Sequence, residues 1–552
     1  LLAKALLLLA CLSFLSKLVE IYLLSSISPS SSISVLTFQG WLVGLITFSF
    51  LILSSRLIAH YYLSDRKSEK RVIIYGAGSA GIQLAEALRV SKEMQPIAFV
   101  DSNEALHGSY IGDIKVLSPK KIERLVVRNK VDEVLIAMPS VSRSSLRHLL
   151  AEIERFSVKV RILPGLAELA QGKISVSELK EVDISDLLGR NEIEPIKELL
   201  NKNIENKVVL ITGAGGSIGS EISRQVIKNN PKKVILLDAN EYALFSIKNE
   251  MEKLANKEQV YSVLANVTNK KRMTDIYKAF EVNTVYHAAA YKHVSIVEEN
   301  PFEAVVNNII GTKISADSAI EANVETFVLI STDKAVRPTN IMGATKRFAE
   351  LILQSMNEMS STRMTMVRFG NVIGSSGSAI PLFQQQIING GPVTVTHPDV
   401  IRYFMTIPEA AELVIQAGAM GHGGDVFVLD MGEPVKIFDL AKRLISLSGM
   451  DLIDDNNPQG DIEIIFTGLK PGEKLFEELL IGDNVSATDH KRILKAKEEA
   501  LSAKEIEDQL LNLKKSGEEN DIIKLKKVLE EVVTGFTSEE EIVDVIQLQK
   551  SK

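Results

Sequence analysis

The chain has 552 residues, too many for one hydrophobic core, so several domains are expected. Its 63 basic and 70 acidic residues give a net charge of −7, without the basic excess of a nucleic-acid binder. A single cysteine, Cys11, excludes an intrachain disulfide framework and a multi-cysteine zinc site; the eight histidines include no HxxxH or HExxH pair, so no metal is expected.

The first predicted element is Val35–Leu53, nineteen residues without a charge, roughly 28 Å long as a helix. It is expected to cross a membrane, the alternative being a buried globular helix. Upstream, Ala5–Ser16 is apolar but short and bracketed by Lys4 and Lys17, so a second span needs snorkelling lysines. Arg56, Arg66, Lys67, Lys70 and Arg71 follow, which by the positive-inside rule puts everything after about residue 60 in the cytoplasm. No small-residue cleavage site favours a signal peptide, and the absence of an initial Met predicts further helices upstream. The expectation is a membrane region over 1–62 in contact with the lipid bilayer, in a multi-pass protein of a bacterial inner membrane.

Two glycine-rich turns follow, each in strand–turn–helix context. Arg71–Tyr75 leads into Gly76, Gly78 and Gly81, and a strand ending at Asp101 follows. Such glycines allow a tight turn and close backbone approach, and the helix N-terminus favours phosphate. Over 66–165 this predicts a Rossmann-like domain whose ligand is open; an α/β domain that keeps the turn without binding a nucleotide is the alternative. Residues 166–205 read as a connector.

The second turn is richer. Strand Lys207–Ile211 leads into Thr212, Gly213, Gly216, Ser217, Ile218 and Gly219, and the next strand ends at Asp238. A carboxylate there suits both adenosine ribose hydroxyls and repels a 2′-phosphate, so NAD is expected over NADP. Asn266 and Val267 fall where the adenine should lie; Ala288 and Ala289 are small enough for close cofactor approach. Alternating strands and helices predict a parallel doubly wound sheet, so the fold class is α/β with two tandem Rossmann-like sheets after transmembrane helices.

After strand Glu325–Ile330 come Thr332, Asp333 and Lys334, then Met342 and Lys346 one turn apart on a helix. This pattern resembles the extended short-chain dehydrogenases that modify nucleotide sugars, over roughly residues 200–480. In that family a tyrosine precedes the lysine by four residues; here Met342 takes its place and cannot act as a base. The Thr–Asp–Lys triplet and the methionine resemble the long, membrane-bound UDP-N-acetylglucosamine 4,6-dehydratases of glycan and polysaccharide biosynthesis. The resemblance implies an internal redox cycle with NAD. Lys334 would take the C5 proton, Asp333 would protonate the C6 hydroxyl, Thr332 would hold the C4 oxygen and Lys346 the nicotinamide ribose. A lysine base must be neutral, so a lowered Lys334 pKa is expected. Either Asp333 or a water beside Met342 would take the C4 hydroxyl proton.

Further substrate contacts are expected at Lys292, His293, Asn371, Arg402, Lys470 and Glu473, the last two in a Lys470–Lys474 segment that resembles the family's R/K-P-G-E-K. An Arg fork suits a diphosphate. The catalytic domain is expected over 206–490 and a helical tail over 491–552. The reading is a hydro-lyase that binds a UDP-sugar and acts as a homo-oligomer; the alternatives are another nucleotide-sugar epimerase or dehydratase, or an inactive nucleotide-binding scaffold.

Overall fold

A computed structural model describes residues 47–56, 70–91, 93–164, 177, 179–188, 194–256, 258–357, 359–375, 377–478, 485–537 and 544–550. The two sheets belong to one compact unit, and the helix over 47–56 belongs to another.

The first sheet has seven strands: β1 (Lys70–Tyr75), β2 (Met94–Val100), β3 (Tyr110–Ile111), β4 (Ile114–Leu117), β5 (Glu133–Ile136), β6 (Lys159–Ile162) and β7 (Lys180–Glu181). Their order is β3-β4-β2-β1-β5-β6-β7, with β1, β5 and β6 parallel. The second sheet runs β10-β9-β8-β11-β12-β13, then Asp425–Leu429, Ile493–Ala496 and Val485–Ala487. Here β8 is Val208–Thr212, β9 Lys233–Asp238, β10 Val260–Leu264, β11 Thr284–His287, β12 Thr326–Ile330 and β13 Arg363–Arg368. All residues of β8 are buried, as expected for a strand covered on both faces. In each sheet the strand order reverses beside the glycine-bearing strand, β1 or β8, where open α/β sheets bind ligands at the strands' carboxyl ends.

Both glycine turns use the same local device. The Asp101 carboxylate accepts the Ala77 N–H at 2.7 Å, and the Asp238 carboxylate accepts the Gly215 N–H at 2.9 Å. Each acid at the end of its second strand thus clamps the preceding turn.

Helix α1 (Ser79–Ser91) follows the first turn, α2 (Ser217–Lys228) the second, and α3 (Ile341–Asn357) carries Met342 and Lys346. Residues 341–356 of α3 are all buried. Part of that cover comes from the tail, where α4 (Ala503–Glu519) starts at a Ser502–Glu505 capping box and α5 (Ile522–Val532) follows. Leu510, Leu513, Leu525 and Leu529 share one core with Phe348 and Ile352 of α3. The amphipathic spacing of the tail is therefore a core-facing stripe.

The α/β architecture stands, but the transmembrane helices expected ahead of it do not. Among the described residues no helix is long and apolar enough to cross a membrane, which overturns the multi-pass placement. The ten described helical residues 47–56 rise about 15 Å, half of a hydrocarbon core about 30 Å thick. Residues 35–46 of the expected span and all of Ala5–Ser16 lie outside the described residues.

Candidate active site

A cavity of 1410 Å³ opens at the carboxyl ends of β8, β11 and β12. Gly213, Gly216, Ser217, Ile218 and Gly219 line one part of it, together with Ala288. Gly213 has φ +65°, and a Cβ there would stand 2.8 Å from the Ala288–Ala289 backbone. A Cβ on Gly219 would meet the Gly213 carbonyl oxygen at 2.0 Å. The turn is thus packed too tightly for side chains, with the N-terminus of α2 opening on the cavity, a cradle that fits a dinucleotide phosphate.

Thr212 lies beneath this cradle: its hydroxyl is 2.9 Å from His287 Nδ1, and His287 Nε2 is 3.2 Å from the Thr312 hydroxyl. Burial, aided by the Lys346 charge, lowers the His287 pKa to about 3, so the ring is a neutral strut. Ala289, Asp238, Asn266 and Val267 stay off the cavity lining. Asp238 holds the glycine turn, Asn266 accepts from the Thr268 N–H at 2.9 Å, and Val267 is buried in the core.

The chemistry-bearing triplet sits where β12 ends. Thr332 caps a single 3-10 turn, Asp333–Ala335. Its hydroxyl donates to Asp333 Oδ1 at 2.8 Å, and Lys334 Nζ lies 3.1 Å from the same oxygen. Thr332, Lys334, Met342 and Lys346 line the cavity, while Asp333 stands behind them. Asp333 Oδ2 is buried without a hydrogen-bond partner. That is an acceptor kept out of water, and such groups call for a functional or strain explanation.

Lys334 departs from expectation. Its ammonium also lies 3.4 Å from Glu477 Oε1 and 3.4 Å from Asn371 Oδ1. Burial alone would lower its pKa, but Asp333 and Glu477 outweigh burial and raise it. Without substrate the lysine is a paired cation, not the neutral base its role needs. Lys346, by contrast, is lowered to about 8 by burial, with Glu350 opposing; it donates to the Ile330 carbonyl at 2.7 Å. Met342 is buried on the same helix face and fills the position at which the family has its tyrosine.

The expected substrate residues Lys292, His293, Asn371, Arg402, Lys470 and Glu473 all line the same cavity. Burial lowers the Lys292 pKa, and burial with the Lys292 charge lowers that of His293. Arg402 Nη2 pairs with Glu473 Oε1 at 2.9 Å, and Arg402 Nε lies 3.7 Å from Glu477 Oε1. Glu473 Oε2 accepts the Lys470 N–H at 3.1 Å.

Two features were missed in the sequence. Glu477 bridges Lys334 and Arg402, and its only signal was its place four residues after Glu473. Beneath the triplet, buried Glu350 accepts two bonds from Arg368, at 2.8 and 2.6 Å, one from Arg347 at 3.0 Å and one from the Ser331 hydroxyl at 2.6 Å. Glu498 completes the network with Arg368 and Arg347. Arg368 is therefore a structural anchor, through Glu350, for Ser331, the residue preceding Thr332.

Residues 209–498 match the family described as polysaccharide biosynthesis protein, and residues 2–164 match a CoA-binding domain. The chain is 45% identical over 471 residues to the capsular polysaccharide biosynthesis protein CapD of Staphylococcus aureus, covering 84% of this chain and 78% of that one. It is 31% identical over 287 residues to an inverting UDP-N-acetylglucosamine 4,6-dehydratase of Campylobacter jejuni, covering 51% of this chain and 80% of that protein. A solved dTDP-glucose 4,6-dehydratase from Streptomyces venezuelae, a double mutant with NAD bound, shares 20% identity over 49% of this chain and 87% of that chain, with a TM-score of 0.43.

Proposed function

Because the chain belongs to the polysaccharide biosynthesis protein family, we propose that it is an NAD-dependent 4,6-dehydratase that converts UDP-N-acetylglucosamine to the 4-keto-6-deoxy sugar nucleotide, with C5 configuration retained. The product would feed glycan or polysaccharide assembly. The observation that carries this reading is the Asp333–Lys334 pair beside Lys346, in a cavity where Met342 replaces a tyrosine base. An epimerase or simple dehydrogenase has no use for a second acid–base pair and depends on the tyrosine.

Bound in the Gly213–Gly219 cradle, NAD supplies the hydride acceptor and donor. The chain's own residues handle position and protons. Lys346 holds the nicotinamide ribose, Asp238 takes the adenosine ribose, and Arg402 with Lys470 and Glu473 takes the diphosphate and nucleoside. Thr332 bonds the C4 oxygen. Once C4 is a ketone the C5 proton is acidic; Lys334 removes it while Asp333 protonates the C6 hydroxyl, which leaves as water.

The test is incubation of the full chain with NAD and UDP-N-acetylglucosamine, read by mass spectrometry. Loss of one water is expected; an unchanged sugar nucleotide with NAD bound refutes the reading. NMR of the product in deuterated water reads the C5 configuration.

A further inference from the structure

Lys334 cannot take the C5 proton while it carries its own. Three charged groups face its ammonium: Asp333 at 3.1 Å, Glu477 at 3.4 Å, and Arg402 across Glu477. Glu473 faces Arg402 from the other side. The Glu477 side chain is 5% exposed and that of Lys334 17%, and both line the cavity that the substrate would fill. With the cavity filled, the carboxylates beside the lysine's proton are Asp333, which is needed for the hydroxyl protons, and Glu477.

We propose that Glu477 stores the Lys334 proton during turnover and returns it afterwards. The proposal rests on the dehydratase reading. In the free protein Glu477 lies between two cations, Lys334 at 3.4 Å and Arg402 at 3.7 Å. The sugar nucleotide enters the cavity that Lys334 and Glu477 both line. The sugar then seals the cavity, and in a dry site the separated charges on Lys334 and Glu477 lose ground to the neutral pair. Substrate binding thus makes the free amine only when the substrate is in place.

The protons balance over one cycle. The C4 hydroxyl proton passes to Asp333 through the Thr332 hydroxyl, which lines the cavity and bonds Asp333 Oδ1. The Lys334 proton moves to Glu477. The neutral amine takes the C5 proton, and Asp333 returns its proton, by the same hydroxyl, to the C6 oxygen, which departs as water. The hydride removed from C4 arrives at C6, Lys334 gives its proton back to C5, and Glu477 returns the stored proton to Lys334. One sugar nucleotide has become one 4-keto-6-deoxy sugar nucleotide and one water, with every protein group as it began. Glu477 acts through Lys334, so it is a positioning residue for the base.

The test compares kcat–pH profiles of the full chain, wild type, Glu477→Gln and Glu477→Asp, with NAD binding checked in each. In the glutamine variant Lys334 can shed its proton only to solvent. A fall of at least tenfold at neutral pH, with recovery as pH rises above 9, is expected; the aspartate variant keeps an ionisable group and recovers most of the neutral-pH rate. A glutamine profile parallel to wild type, whether reduced or not, overturns the proposal. If the glutamine variant does not fold, Glu477→Ala is read in its place: the same neutral-pH loss with recovery at high pH supports the proposal, and a profile parallel to wild type overturns it. An inert wild type overturns the dehydratase reading itself, so the two failures are distinct.

Discussion

Glu350→Gln removes the charge at the centre of the buried network under the catalytic triplet while keeping the side chain's shape. Glu350 is fully buried and accepts from Arg368, Arg347 and Ser331. The variant leaves two guanidiniums to share the single carboxylate of Glu498, with Arg368 itself buried. Removing one partner of such a pair costs about 3–5 kcal/mol, because the surviving charge stays out of water. Denaturant unfolding of wild type and variant should show a lower midpoint at unchanged slope. The pH dependence adds a second signature. Burial alone would raise the Glu350 pKa, but Arg368, Arg347 and Ser331 hold it down to about 2. A depressed carboxylate stabilises the fold fully above its unfolded value, near 4.5, and the stabilisation drains away as pH falls toward 2. The variant should therefore lose less stability than wild type between pH 4.5 and 2. A cost below about 1 kcal/mol, or an acid limb identical to that of wild type, would refute the assignment of Glu350 as the anchor.

Lys334→Ala should lower kcat by roughly 10²–10⁴, the range for a lost general base, with NAD affinity unchanged by fluorescence titration; undiminished turnover would rule the base out. Gly213→Ala puts a Cβ 2.8 Å from the Ala288–Ala289 backbone at φ +65°, so NAD binding by calorimetry should be lost while the fold survives. Arg402→Lys keeps the charge but not the fork; KM for the sugar nucleotide should rise about 10–100-fold, equivalent to roughly 1.5–3 kcal/mol, and an unchanged KM would remove Arg402 from the diphosphate site.

The cofactor cradle was legible because its causes are local. Glycine spacing dictates the turn, the apolar runs dictate buried strands, and an acid at the second strand's end falls beside the turn by register. Asp238, expected to hold the ribose, clamps the Gly215 N–H, a role that spacing alone does not show. The Lys334 pKa is raised where a lowered one was expected, because Asp333 beside it is joined by a second carboxylate, Glu477, from a distant segment. The membrane spans were read from hydropathy, and no described helix provides one.

The sequence by itself determined the elements and the reactive inventory: the glycine turns, Thr332, Asp333, Lys334, Lys346, and methionine where a tyrosine was expected. Those depend on neighbours within a few residues, through backbone geometry and helical spacing. Only the tertiary structure decided the electrostatics. It placed Asp333 behind the cavity wall, gave Lys334 a second carboxylate, and joined Arg368 to Glu498 across 130 residues. The protonation of a buried group depends on every charge within a few ångströms, and folding, not chain order, brings those charges together.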